Sequence, residues 1–571
     1  MRESGMRKSG RNKVENRNKY RNRLVCAVML SAFLAGTVAG CGNSTETATA
    51  EQTAQSSKSA EQDGPRPSLT YWTNMDSSRI APMTDNYKNI LCYQEMAERT
   101  GIDVTFIHPP IGQEADAFSL VLASGEYPDM IYYDWGNKVA GGPDKAIQDG
   151  IILDLTDLIN QYCPNLKQFL DENPAVKATM TTDSGYIYCF PNLYPYYTEN
   201  PKIMCIRGNQ LRKDWLEELG LAEPETIDEW YQVLTAFKNK GTNENGETIV
   251  PMVSRKLSTR SSIVRTFANA WDGLDYDFYV KDGVVKFGPV EEDFKEYLQT
   301  MARWYDEGLI APEFATYGDK EHDALVTGGV AGSWHSGLGA GMGVYIAALG
   351  NDDSKVAGVK FPVVNKGDTP SFNNASNFPF IGIGVALTSS CKDVETACRW
   401  LDYHYSEEGD MLLNWGVEGV SYELDESGKP YFTDVVLNDP DGLSVDVAIG
   451  KYAMVAQMEA YKQSDEVYAV RMWKWPAQQE ASAKWDAAVF SDRYPLTVSM
   501  TPEEGTEFAA IMSDVETYRD EYAIRYILGT ESFEQYDKFA ETIKSMKIDR
   551  ATEIKQAAYD RLQERIAEAS R

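Results

Sequence analysis

Apolar positions recur along this chain with two periods, and the two alternate. Leu69-Thr70-Tyr71-Trp72 is a short β-prone run followed by polar residues, as at the carboxyl end of a strand. "NYKNILCYQEMAERTG" has helical spacing and ends at Gly101, where a left-handed cap is expected. "IDVTFIHPP" predicts a second strand, "EADAFSLVLASGEYPD" a helix with its turn, and "MIYYDW" a third strand. Strand, helix, strand, helix, strand predicts a parallel sheet with helical crossovers, and hence the α/β class.

Helical periods dominate further on. "LRKDWLEELG" is amphipathic and stops at Gly220. In "PETIDEWYQVLTAFKNKG", Thr226 and Glu229 form a capping box. Trp230, Val233, Leu234 and Phe237 make its apolar stripe, and Gly241 ends it. "FKEYLQTMARWYDEGLI" and "VETACRWLDYHYSEEGDMLLNWG" carry the same period, and "ATEIKQAAYDRLQERIAEAS" predicts a charged amphipathic helix near the C-terminus. About 500 residues lie beyond residue 67, too many for one core, so two lobes are expected.

The N-terminal pattern is different. Nine Lys/Arg and two acids precede the uncharged run Leu24–Gly40, which is 17 residues long. A basic region, an apolar run and small residues are the parts of a secretory signal, and the run is short for a membrane span of roughly 20 residues. Val38-Ala39-Gly40-Cys41 resembles the bacterial lipobox, whose cysteine accepts a diacylglycerol and becomes the new N-terminus. Residues 42–68 contain no large apolar side chain and predict a flexible tether. The expected organisation is therefore a signal at 1–40 and an anchor with tether at 41–67, with the folded part held outside the membrane.

Charge and cysteine usage narrow the functions. The chain has a net charge of -31, and its first 40 residues carry +7, which leaves the remainder near -38. A surface this acidic repels nucleic acid, and no nucleic-acid partner is expected. Cys92, Cys163, Cys189, Cys205, Cys391 and Cys398 are scattered, with no spacing suited to zinc, and are expected to be mostly buried free thiols; a long-range disulfide stays open.

"ASGEYPDMIYYDW", "LRKDWLEELGLAEPETIDEWYQVLTAFK", "YDEGLIAPEFA" and "LDYHYSEEGDMLLNWGVEG", in this order, resemble the extracellular solute-binding proteins, family 1, of bacterial ABC transporters. The long lipoproteins of Gram-positive bacteria are the branch most similar. The resemblance runs from about Pro67 to beyond Gly419. It implies a periplasmic-binding-protein-like fold: two α/β lobes with a ligand cleft between them. The crossover pattern of the family implies 68–198 plus 357–404 as one lobe and 199–356 plus 405–571 as the other. It also implies a sugar or oligosaccharide ligand, separate permease subunits of an ABC importer as partners, a lipid-anchored location on the outer face of the cell membrane, and a monomer.

A sugar presents apolar C–H faces and a rim of hydroxyls, so its site wants aromatic platforms, carboxylates and amides beyond the carboxyl ends of strands. Trp72, Asn74 and Asp76 follow the first strand, in a "W-x-N-x-D" similar to that of maltose-type binders. Asp134 and Trp135 close the third strand. Trp334 lies where maltose-type binders carry a stacking tryptophan, with His335 beside it, and Trp271 resembles a cleft-facing aromatic of the second lobe. Trp415 and Glu418 stand where a helix leaves for a loop. Each of these ten has core or surface packing as its competing reading, as do Trp473, Trp475, Tyr194, Tyr196 and Tyr197.

Relatives in this branch often carry an EF-hand-like loop after the helix that ends here at Lys240. This chain has "GTNENGETIVP", without the first acid or the later Asp-Glu pair. Calcium needs six or more oxygens with charge among them, so no tight metal site and no cofactor are expected, and "ENGE" predicts a hairpin turn. Four histidines, no HExxH, no GxSxG with placed partners and no P-loop leave an enzyme reading without a motif. The competing functions are the same fold binding a peptide or other solute, and a secreted glycan-active enzyme.

Overall fold

The computed structural model describes residues 66–571 apart from 374–377, 456–457, 491 and 570. The signal, Cys41 and nearly all of the tether lie outside the described residues. The fold is two-lobed and α/β.

The first lobe is built on a five-stranded sheet. Ser68–Trp72 lies between Asp103–Ile107 and Met130–Asp134, parallel to both, and Ile383–Leu387 and Phe190–Pro191 extend the sheet antiparallel. The three expected strands and both crossover helices, Leu91–Thr100 and Glu114–Ser124, are present, with Gly101 left-handed at the end of the first helix. The second lobe is built on a sheet of Val356–Gly358, Arg207–Arg212, Ala331–Gly337 and Val250–Met252. Ile227–Lys240 packs beside it. Thr226 Oγ1 accepts from the Glu229 amide, the Glu229 carboxylate accepts from the Thr226 amide, and Trp230, Val233, Leu234 and Phe237 are buried.

The helical period read through residues 394–416 is interrupted. Val394–Tyr403 and Glu407–Trp415 are separate helices, because Ser406 Oγ accepts from the Gly409 amide and starts a new one. Strand Arg207–Arg212 lies tight against helix Pro476–Trp485. A Cβ on Gly208 would overlap the Trp485 ring, so only glycine fits there.

The hydrophobic cores correct the expected lobe boundaries. One core combines residues 69–193 with 380–467, and Leu412, Trp415, Phe432, Ile449 and Tyr461 belong to it. Residues 405–467 therefore pack with the first lobe, not the second. Conversely Val356, Ala357, Phe361 and Phe372 pack in the cores that contain residues 203–349 and 468–551, so 356–372 belongs to the second lobe. The chain passes between lobes along three adjacent segments. Leu193 pairs with Lys462, its amide donates to Tyr461 O at 2.9 Å, and the Tyr194 amide donates to Pro379 O at 2.8 Å.

All six cysteines that were expected as thiols are buried and free. The first core also holds a carboxyl group. Glu459 is fully buried, accepting from Tyr71 Oη at 2.8 Å, Tyr93 Oη at 2.5 Å and the Ala460 amide. Burial pushes its pKa up to about 7 from the usual carboxylate range. A raised carboxyl is protonated in the fold where the unfolded chain is ionised. Its contribution is complete below about pH 4.5 and is lost as pH rises through 7. His404, 3.9 Å away, is held neutral by burial, with its pKa lowered to about 4, and acts in the opposite direction. Glu459→Gln should remove only the carboxyl part. Its stability relative to the parent should rise by on the order of 2 kcal/mol between pH 5 and 7.5 in denaturant melts; a constant difference across that range would contradict the assignment.

Candidate ligand-binding site

A cavity of about 710 Å³ lies between the lobes. Its first-lobe wall is the loop 136–143, directly beyond the carboxyl end of Met130–Asp134, where an open α/β sheet places ligands. The loop is fixed from below. Asp134 Oδ1 accepts from the amide of Asn137 at 3.1 Å and from its side chain at 2.8 Å, and the Asn137 side chain also donates to Ile381 O. The Gly136 amide donates to Gly382 O at 3.0 Å. Gly141 and Gly142 follow each other with φ of 79° and 69°, a turn that side chains would strain. Asp134 is thus the organiser of this wall, and burial holds its carboxyl above the usual range.

The second-lobe wall comes from Arg260, from Asp275, Asp277 and Phe278, from Asn373, from the stretch that begins at Arg493 and Tyr494, and from two long helices near the C-terminus, Pro502–Ile527 and Ile548–Ala569. Lys555, on the last helix, points its ammonium at rings, 4.3 Å from the centroid of Tyr494 and 4.9 Å from that of Phe508. Burial lowers its pKa to about 8; Asp277 opposes that shift and Arg260 adds to it. Burial likewise lowers Arg493 to about 9, helped by Arg260 and Arg207. Asp275 lies 3.4 Å from Arg265, and Asp277 lies 3.9 Å from Arg265 and 3.7 Å from Arg519.

The aromatic residues expected to touch ligand do not line this cavity, and each of them is buried. Trp72 packs against Phe118 and Tyr133 in the first core. Trp135 is fully buried, donates to Ile131 O at 3.3 Å, and lies beneath the cavity loop without lining it. Trp334 is fully buried in the second lobe; its indole N–H donates to Gln210 Oε1 at 3.0 Å and its ring meets Tyr345 edge-on. His335 is equally buried, bonded to Asn209 Oδ1 at 3.0 Å, and held neutral by burial. Trp271 sits against Tyr297, and Trp415 against Phe432, each in a core.

The polar candidates fare similarly. The Asp76 carboxylate is taken up by the Ser78 and Arg79 amides and the Arg79 guanidinium, and that arginine holds its pKa down against burial. Asn74 has a buried Oδ1 with no partner among the described residues, and Glu418 is exposed on the turn that pairs with Tyr422. None of the ten lines the cavity, although Asp134 and Trp135 immediately precede its first wall.

Three residues that do line it had faint signals: Arg493 and Tyr494 in "SDRYPL", and Lys555 in a C-terminal helix that reads as merely amphipathic. The "ENGE" segment folds as a turn, with Thr242 paired to Thr248 and Gly246 at a φ of 80°. Its acids are engaged: Glu244 lies 3.5 Å from Arg212, and Glu247 accepts from the Asn243 side chain. Among the described residues no cluster of three or more His, Cys, Asp or Glu is placed to hold a metal, and no helix is long and apolar enough to cross a membrane.

Residues 80–411 match the model of the bacterial extracellular solute-binding protein family. The chain is similar to the fructooligosaccharide ABC transporter substrate-binding protein FusA of Streptococcus pneumoniae, 26% identical over 566 residues that cover 95% of this chain and 99% of FusA. It is also similar to the polygalacturonan/rhamnogalacturonan-binding protein YtcQ of Bacillus subtilis, 24% identical over 422 residues, 72% of this chain and 75% of YtcQ. Among solved structures, FusA in complex with kestose superposes with a TM-score of 0.70 at 23% identity, over 87% of this chain and 99% of that one. Alginate-binding protein AlgQ2 without calcium ion does so with a TM-score of 0.68 at 24% identity, over 87% and 99%. These structures share the two-lobed fold.

Proposed function

The chain belongs to the bacterial extracellular solute-binding proteins, and from that premise we propose that it captures a sugar or oligosaccharide outside the cell and hands it to the permease of an ABC importer. One observation carries the reading: a cavity of about 710 Å³ between the lobes, with walls from both, rimmed by Tyr494, Phe508 and Phe278 and by polar side chains. That volume suits a small oligosaccharide, and the aromatic and hydrogen-bonding mixture suits its two kinds of surface. The polysaccharide and oligosaccharide ligands in the names of FusA and YtcQ support the same class.

Contacts to both walls favour the form in which the lobes close on ligand, and the permease reads that form. Capture alone requires no catalytic group, so bound glycan should be recovered intact. The protein acts as a monomer, tethered through a lipid on Cys41, which keeps it near its permease at high effective concentration. Cys41→Ser should release the protein from the cell surface into the medium, read by blotting cell and medium fractions; retention on the cells would remove the anchor.

The test of capture is thermal melting of the purified protein against a panel of oligosaccharides and peptides. Ligand at 100 times its dissociation constant adds about 2.7 kcal/mol to native stability, enough to move the melt by several degrees. A shift with glycans is the expected result. Shifts with peptides alone would keep the fold and overturn the ligand class, and glycan returned cleaved would establish an enzyme instead.

A further inference from the structure

Two of the six buried thiols are neighbours in space although 235 positions separate them in the chain. Cys163 is the elbow between helices Thr156–Tyr162 and Pro164–Glu172. Its amide donates to Ile159 O and ends the first helix, and its carbonyl accepts from the Lys167 amide and starts the second. Its thiol donates to the carbonyl oxygen of Cys398, 3.7 Å away on helix Val394–Tyr403, and the two thiols lie within hydrogen-bonding reach of each other. Both side chains are fully buried in the first core.

The contact is held from one turn away. Asp402 stands four positions beyond Cys398, on the same face of its helix. It accepts from the Leu166 amide at 2.8 Å, the Asn165 side chain at 2.7 Å and the Asn165 amide at 3.2 Å, and so caps the helix that the elbow begins. These three bonds fix the elbow in register on helix Val394–Tyr403, with Cys163 set on Cys398. Cys391 is also within electrostatic reach of Cys398, but its sulfur is taken up by the Asp393 amide. The hydrogen bond to Cys398, and after it burial, hold the Cys163 thiol protonated, well above the ordinary thiol range. Exchange needs a thiolate, so reaction is confined to folding and to transient openings of the elbow.

We propose that Cys163 and Cys398 are a redox site, a dithiol that a small-molecule disulfide oxidises to a clasp between the elbow and helix Val394–Tyr403. One thiolate attacks the small disulfide, forming a mixed disulfide and releasing one small thiolate. The second protein thiolate then attacks the protein sulfur, closing the clasp and releasing the other small thiolate. The protein gives up two protons and two electrons, and the small disulfide is reduced to two thiols. The family is extracellular, a setting in which such bonds persist. The clasp closes a long loop, so it restricts the unfolded chain and stabilises the fold.

The experiment refolds the purified protein with oxidised and reduced glutathione, beside a sample kept reduced throughout. Free thiols are blocked with iodoacetamide, and tryptic peptides are mapped by mass spectrometry without reduction. Cleavage at Lys392 separates Cys391 from Cys398, and cleavage at Lys167 separates Cys163 from Cys189, so the partner is read directly. A linked peptide joining Cys163 to Cys398 is expected, and the oxidised protein should melt a few degrees above the reduced one. Cys163→Ala and Cys398→Ala should each abolish the link and melt alike in both buffers, whereas Cys391→Ala should keep the link and the rise. The map of the unaltered protein decides the pairing even where a variant folds poorly. Both cysteines blocked in the oxidised sample, or Cys398 joined to Cys391, would overturn the pairing. A link with no rise in melting temperature would overturn the clasp.

Discussion

Trp334→Ala should cost about 3–5 kcal/mol of stability and lower the melting temperature by several degrees. The indole is fully buried in the second lobe, where it fills the space beside Tyr345, so truncation leaves a cavity that the surrounding strands Arg207–Arg212 and Ala331–Gly337 cannot close. It also leaves Gln210 Oε1 without the indole donor in a dry interior, which adds to the loss. Trp334→Phe keeps most of the ring volume and should cost less, chiefly through that orphaned acceptor. A ligand-stacking tryptophan would behave in the reverse way: Trp334→Ala would melt close to the parent and lose glycan affinity. Denaturant melts of the two variants, with titration of whichever glycan shifts the parent, separate the two roles. A near-parental melt for Trp334→Ala would overturn the core assignment.

That contrast shows which physical information a sequence carries. The capping box of Thr226 and Glu229, the stop at Gly101 and the apolar stripe through Trp230 and Phe237 are all local, set by neighbours within four residues, and they are legible because nothing distant competes. The three parallel strands of the five in the first sheet are legible for the same reason, with Asp134 and Trp135 placed at a strand end. What lies next to that end is set by distant chain. Trp135 turns inward under the loop instead of outward, because Phe118 and Tyr133 are there to receive it. The membership of 405–467 in the first lobe depends on Trp415 finding Phe432, and on Glu459 finding Tyr71 and Tyr93 across more than 360 positions. Aromatic type and position after a strand do not distinguish a platform from a core side chain. Only the partner does, and the partner is remote. The cavity wall follows the same rule, since Arg260, Arg493 and Lys555 meet from three separate stretches that have no common pattern.

Asp183→Ala should lower stability by about 3 kcal/mol and weaken ligand binding in parallel, because this residue ties the lobes together beside the cavity. Asp183 belongs to the turn after helix Pro174–Met180 in the first lobe, and its side chain is only 6% exposed. It accepts from Arg561, Arg565 and Ser499 Oγ, all on the other side. Arg561 in turn grips Glu504 at 2.6 Å, so the pair extends into a network. The helix that carries both arginines, Ile548–Ala569, starts in the second core with Ile548 and Ala551 and ends against the first lobe. A carboxylate removed here strands two partly buried guanidinium groups, and the loss falls only on the arrangement in which the lobes meet. Under the capture reading that arrangement is the binding-competent one. Reducing its population raises the apparent dissociation constant in inverse proportion to the fraction that remains. Asp183→Ala should therefore bind its glycan about tenfold or more weakly, while Lys145→Ala, which removes an exposed pair with Asp149, should leave both stability and affinity within error. Calorimetric melts and titrations of the two variants decide it. A variant that loses stability without losing affinity would show that the network holds the C-terminal helix in place and has no part in closure.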